Sequence, residues 1–232
     1  MKTDTRVRSV ALSLACAVPL LAHTVTLPVP ARQDAVQGPA ATAAAAALAP
    51  DILRADEMDE TSQIAYPVLK DDLINAGSPY LASVVHDDYA VFQGCRIEAL
   101  NDGELGQDTS QPGVAFDFDG AWTTTFTLDK AKAPKGYEIR EVRTVAGWVK
   151  YRANQKYELS IARVDKPDIF ISLGIVDYAP DSTCSSRVTL SKANGPLATG
   201  VLALRFRFMP QRPGVQAETA YREIDVIGAP LP

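Results

Sequence analysis

Few side chains in this 232-residue sequence have the types and spacing that reaction chemistry asks for. His86-Asp87-Asp88-Tyr89 joins an imidazole to two carboxylates and a phenol. Asp117 and Asp119 stand two apart in an alternating segment, so they share one face of a strand, as a pair of carboxyl groups flanking a glycosidic bond would. Asp87 and Asp88 are adjacent and would point to opposite faces. The whole chain holds only two histidines, His23 and His86, and a Ser/His/Asp set needs one as general base. A zinc site would need a second nitrogen or thiolate ligand at the right spacing, and none accompanies His86. His86-Asp87-Asp88-Tyr89 therefore reads as a solvated loop and Asp117/Asp119 as an exposed polar edge. The chain reads as non-enzymatic.

Binding chemistry fits the sequence better than catalysis. Trp148, Tyr151, Arg152 and Asn154 cluster where one strand turns into the next, and Asp87 and Tyr89 belong to a second loop that can approach the same end. An aromatic face packs against the C–H face of a sugar ring while polar neighbours bond its hydroxyls. Of these residues, Tyr151, Asn154, Asp87 and Tyr89 are the expected contacts; Trp148 and Arg152 also suit a packed role beside a core strand.

The elements that must position these residues show in the period of the apolar pattern. Through residues 66–232 it is two, and helical periodicity is nearly absent. Val114, Phe116 and Phe118 alternate with Asp117 and Asp119. After Asp119-Gly120, Trp122, Thr124, Phe126 and Leu128 alternate with Thr123, Thr125 and Thr127, which predicts a hairpin. A strand from Tyr137 to Trp148 carries an expected bulge, because its apolar phase shifts between Ile139 and Val142. Tyr157, Leu159 and Ile161 form the next inward face; Ile169, Ile171, Leu173 and Ile175 another; Val188 and Leu190 a shorter one. Leu202, Leu204, Phe206 and Phe208 face inward against outward Arg205 and Arg207, and Ile224 and Val226 lie between outward Glu223 and Asp225. Eight or nine short strands predict an all-β, antiparallel β-sandwich. One short helix is expected near Lys70 to Asn75.

The first 65 residues contribute none of this. All seventeen aromatic residues lie at or beyond Tyr66, so the core must be built from residues 66–232. Lys2, Arg6 and Arg8 precede an apolar run from Val10 to Ala22, the pattern of a signal peptide, here residues 1–22. Residues 23–65 read as an Ala/Pro-rich disordered linker and 66–232 as the domain. The export signal implies a secreted or periplasmic protein without a membrane span after cleavage. Cys95 and Cys184 would remain in the exported form, and in an oxidising compartment this pair is expected as one disulfide. The formal charge is −5 on the full sequence and −7 without residues 1–22, which argues against nucleic acid as a partner.

A series of residues in order carries a resemblance. Asp72-Leu-Ile-Asn-Ala-Gly77, Asn101-Asp102-Gly103, Trp122 with its threonine strand, Gly147-Trp148, Arg152, Gln155, Tyr157, Ala203-Leu-Arg205-Phe206 and Glu223-Ile-Asp-Val-Ile-Gly228 together resemble the discoidin-like (coagulation-factor type C), galactose-binding-like jelly rolls of exported bacterial proteins. The resemblance runs from residue 71 to 228. It implies a jelly roll and a non-catalytic module that binds carbohydrate or cell-surface glycan; the alternative is a structural or protein-interaction domain of the cell envelope. It also implies a structural Ca2+ held by Asp102 and Glu223, with backbone carbonyls around Leu100 and Gly103 completing an oxygen shell.

Overall fold

The computed structural model describes residues 52–58, 69–86, 96–105, 114–116, 121–147, 153–179, 185–209 and 219–232. Ten strands occur among them: β1 (Ile52–Met58), β2 (Leu81–His86), β3 (Val114–Phe116), β4 (Trp122–Leu128), β5 (Tyr137–Ala146), β6 (Gln155–Arg163), β7 (Lys166–Tyr178), β8 (Ser185–Ser191), β9 (Ala198–Phe208) and β10 (Thr219–Pro230). A 3₁₀ turn spans Ile97–Leu100. Every strand pairing is antiparallel. One layer runs β7-β6-β9-β4-β2 and the other β1-β8-β5-β10-β3. The layers join where the start of β9 pairs with the start of β5, Val201 opposite Tyr137 and Ala198 opposite Ile139. The fold class is the expected one, an all-β antiparallel sandwich of jelly-roll type.

Alternation works as it should in the central strands. In β4, Trp122, Phe126 and Leu128 are buried, and so is Thr124, while Thr123, Thr125 and Thr127 are partly exposed. Tyr157, Leu159 and Ile161 of β6 and Leu204, Phe206 and Phe208 of β9 are fully buried. Their rings meet in one chain of contacts across the sandwich: Trp122 stacks on Phe208 at 5.4 Å, Phe208 meets Tyr221 at 4.4 Å, and Tyr157 meets Tyr221 at 6.2 Å. These spacings are those at which aromatic pairs add to the gain from burial. The bulge expected in β5 is present: its pairing with β10 slips between Ile227 opposite Glu141 and Gly228 opposite Ile139.

Five expectations are corrected. First, β3 and β4 are not a hairpin; β3 pairs with β10, and β4 with β9 and β2. Period two shows that a strand has a buried face but not which strand lies beside it.

Second, Ile169 and Ile175 of β7 are 55% and 64% exposed, while Leu173 and Val176 are buried. Gly174 adopts φ 150°, and the register with β6 slips beside it, from Leu159 opposite Gly174 to Ser160 opposite Ser172. The slip reverses the side-chain phase, so Val176 takes the inward place that alternation gives Ile175.

Third, residues 70–77 form turns and not a helix. Asp72 there bridges to Ile227, and the Leu73 amide donates to the Val226 carbonyl at 2.8 Å.

Fourth, the segment read as linker contains β1, which pairs with β8 from Ile52 opposite Ser191 to Met58 opposite Ser185. Backbone pairing at a sheet edge needs no alternating side chains, and so leaves no such pattern in the sequence.

Fifth, Glu223 and Asp225 do face away from the inner core but are 0% and 2% exposed. The Asp72 segment covers the far side of β10 beside them, and the Gly103 amide donates to Glu223. The expected signal peptide, Cys95 and Cys184 lie outside the described residues. Among the described residues no helix is long and apolar enough to cross a membrane.

The reversed phase of β7 can be measured by urea unfolding. Leu173→Ala is expected to cost about 2–5 kcal/mol, and Ile175→Ala less than about 0.5 kcal/mol. Equal losses would place Ile175 in the core and contradict the bulge.

Candidate functional site

The register brings many strand termini to one end of the sandwich. Phe208, closing β9, is opposite both Trp122, opening β4, and Tyr157 near the start of β6. Ala146, closing β5, is opposite Ser186 of β8 and Tyr221 of β10. His86 closes β2 opposite Thr124, and its ring lies 6.3 Å from that of Trp122. Asp87 and Tyr89 come directly after His86, and Trp148, Tyr151 and Arg152 fall between Gly147 and Ala153, so both candidate loops spring from this end. These five residues lie outside the described residues, as do Asp117 and Asp119. Asn154 is half-buried at the root of its loop.

Beneath that root lies a polar cluster inside an otherwise apolar core. Gln155 and Thr144 are fully buried on opposite layers. Thr144 Oγ1 donates to Gln155 Oε1 at 2.5 Å, and the Tyr157 hydroxyl lies 3.1 Å from Thr144 Oγ1. A hydroxyl has one proton, and that of Thr144 is used, so Tyr157 is the donor. Gln155 Nε2 donates to the Thr144 carbonyl at 3.2 Å and to the carbonyl and hydroxyl of Ser186 at 3.1 and 2.9 Å. Ser186 Oγ in turn donates to the Ala153 carbonyl. The Lys156 amide donates to the Tyr221 hydroxyl across the layers at 2.8 Å. Burial pushes the phenols of Tyr157 and Tyr221 up, so both remain neutral donors and acceptors.

The other root is held as firmly. The Gly147 amide donates to the Ala220 carbonyl at 2.8 Å, and Gly147 has φ 133°. A Cβ there would come within 2.8 Å of the Ser185 backbone, so the chain turns off β5 where a side chain would collide. Both ends of the 148–152 segment are therefore fixed by buried contacts. The sequence marks Tyr157 by its alternation with Leu159 and Ile161, and Gln155 only as part of a resemblance. Thr144 and Ser186 carry no signal of their own, because a small hydroxyl residue in a strand has no special spacing.

A second cluster lies on the far side of β10. Asp72, Glu223 and Asp225 are buried, and one carboxylate oxygen from each lies within 4.8 Å of the others. Asp72 Oδ1 accepts from the amides of Ile74 at 3.1 Å and Val226 at 2.9 Å. Glu223 Oε2 accepts from the Gly103 amide at 3.2 Å, while Glu223 Oε1 is buried without a hydrogen-bond partner among the described residues. Burial, reinforced by Asp225 and Asp102, pushes the Glu223 carboxyl up to about 10. Burial likewise pushes Asp72 up to about 7, against the pull of its backbone donors.

Asp102 borders this cluster but is engaged in its own turn. Its Oδ1 accepts from the Glu104 amide at 2.9 Å and its Oδ2 lies 3.8 Å from Arg96. Three close oxygen donors, one of them without a partner among the described residues, fit a hard cation better than they fit each other. Asp72 and Asp225 are the ligand candidates that sequence reasoning missed. Asp72 is 151 positions from Glu223 in the chain, and only the fold joins them.

The sequence matches no protein-family model and no curated protein. Its fold is similar in outline to solved carbohydrate-binding modules. One is the pair of CBM32 domains of Clostridium perfringens ZmpB in complex with GalNAc, at 13% identity and TM-score 0.48, covering 75% of this chain and 41% of that one. Another is CBM32-1 from a family 31 glycoside hydrolase of the same organism, at 14% identity and TM-score 0.41, covering 64% and 96%. A pectin-binding module aligns at 12% identity and TM-score 0.37, covering 63% and 89%. The chain spans less than half the length of the ZmpB structures it is similar to.

Proposed function

We propose that the chain is a non-catalytic, exported module that binds carbohydrate or cell-surface glycan at the loop end of the sandwich. The Thr144–Gln155–Ser186 cluster supports this reading most strongly. A buried polar network is costly unless every member is satisfied, and an apolar substitute would stabilise this end of the core as well. The network here fixes the root of a segment whose sequence contains an indole, a phenol and a guanidinium, Trp148, Tyr151 and Arg152, ahead of Asn154. A rigid base under aromatic and polar side chains lowers the entropy that a ligand must overcome to order them.

We also propose that the buried acidic cluster holds a structural Ca2+ through Glu223, Asp72 and Asp225, with Asp102 at its border. The cation would neutralise Glu223 and Asp72, whose carboxyls burial otherwise drives toward protonation. It would also tie the Asp72 segment to β10.

Three outcomes test these readings. On a glycan array with calcium present, the full chain should bind carbohydrate, and Tyr151→Ala should weaken binding roughly tenfold; binding to no glycan would end the proposal. Gln155→Leu, which keeps a packed core but frees the loop root, should weaken glycan binding more than it lowers the melting temperature. The third outcome concerns the metal. A carboxylate whose folded pKa lies above its unfolded value stabilises the fold at low pH and loses that contribution as pH rises. For Asp72 the loss runs from its ordinary 3.8 up to about 7, and for Glu223 from 4.5 up to about 10. With chelator present, the melting temperature should therefore fall as pH rises through this range. Calcium should restore it at alkaline pH, and a melting curve indifferent to both additions would remove the metal.

A further inference from the structure

The outer face of the β7-β6-β9-β4-β2 layer carries a cation that the fold holds in place without neutralising. Arg205 lies on β9 between Thr125 of β4 and Ser160 of β6. Its Nε donates to Thr125 Oγ1 at 3.2 Å, and its guanidinium carbon sits 3.5 Å from the centre of the Phe170 ring. Phe170 comes from β7, in register beside Ala162 of β6, and so lies two strands from Arg205. Among the described residues no carboxylate pairs with Arg205. Its neighbours on the same face are otherwise matched: Lys156 pairs with Asp177 at 3.0 Å, and Arg207 approaches Glu158 at 4.0 Å.

An arginine that merely solubilised the surface would not need a stacking partner and a side-chain hydrogen bond. Stacking fixes the guanidinium plane, and the Nε bond fixes its rotation. The terminal nitrogens are left as a planar fork, the geometry that matches a carboxylate in two parallel bonds. Beside the fork stand hydroxyls, Thr125 and Ser160, in the same cross-strand row. That row crosses five strands, from Val85 on β2 to Ser172 on β7, a span of about 19 Å at the usual strand spacing. One fixed cation among hydroxyls suits a hydroxyl-rich polymer with separated carboxylates. A dense polyphosphate would meet the chain's net charge of −5 with little but Arg205 on this face to offset it.

We propose that this sheet face is a second binding site, taking an acidic polysaccharide through a uronate carboxylate on Arg205. The proposal rests on the carbohydrate-binding reading above but uses a surface separate from the loop end.

Affinity electrophoresis of the full chain tests it, with polygalacturonate, fully methyl-esterified polygalacturonate and dextran sulfate cast in the gels. Polygalacturonate should retard the protein and the esterified polymer should not. Arg205→Met should weaken retardation roughly tenfold. Arg205→Lys keeps the charge and the aliphatic stem, so it folds, and it should still lose several-fold because the fork is gone. Arg205→Met should lower retardation by polygalacturonate more than Tyr151→Ala does. Equal retardation by the esterified polymer, or by dextran sulfate, would overturn the carboxylate assignment. Loss with Tyr151→Ala but not with Arg205→Met would also overturn it and return the acidic sugar to the loop end. A glycan array on which neutral sugars bind while polygalacturonate does not would overturn this second site and leave the proposed function standing.

Discussion

The meeting of Phe208 and Tyr221, 4.4 Å apart, is the contact on which the rest of this protein depends, because it joins the two layers at the end where the loops arise. Phe208 belongs to β9 and also stacks on Trp122 of β4. Tyr221 belongs to β10 and extends its hydroxyl across the gap to the Lys156 amide. The apolar body of the tyrosine holds the layers together, and its polar tip fixes the start of β6. From that point Gln155 and Thr144 repeat the same device with hydrogen bonds alone. The core is thus apolar through its centre and polar at one end, and the polar end sets where the 148–152 segment can begin and finish.

On β10 the same alternation that directs Ile224 and Val226 into the core directs Glu223 and Asp225 to the opposite side. In a simple sandwich that side would be wet. Here the Asp72 segment and the Asn101–Gly103 turn close over it: Asn101 Nδ2 donates to the Ile74 carbonyl at 2.6 Å, and the Ala76 amide to the Asn101 carbonyl at 2.7 Å. The covering segments meet each other and β10 through backbone polar groups, and they are anchored by Leu73, Ile74 and Leu100, which are buried in the main core. Closing carboxylates beneath such a cover opposes folding unless a proton or a cation accompanies them.

Much of the architecture was legible in the residues. Strict alternation in β4, β6 and the second half of β9 reports burial directly, since each inward residue meets the same core. The shifted phase in β5 even disclosed its bulge. In β7 the same logic failed, because Gly174 lets the backbone slip one place and an edge strand tolerates exposed isoleucines. Pairing partners were not legible: β3 lies beside β10, more than a hundred positions away, and nothing in Val114-Ala115-Phe116 names it. β1 was not legible because its place beside β8 is set by backbone pairing, which no side-chain alternation reports. The site was legible in part. Aromatic and polar residues near strand ends marked the loops, but the hydroxyls and amide that fix their roots are ordinary strand residues whose role exists only between two layers.

Two conclusions were available from the residues alone: the chain is an all-β sandwich, and its aromatic residues all lie after residue 65. Those conclusions come from composition and from the period of side chains along a single strand, which are local properties. Tertiary structure alone decided which carboxylates share a buried space, which hydroxyls fix the loop end, and that Arg205 rests on Phe170 with no acidic partner among the described residues. Each of these is a distance between residues far apart in the chain, set by register and by how two layers pack, and no periodicity along one strand encodes it.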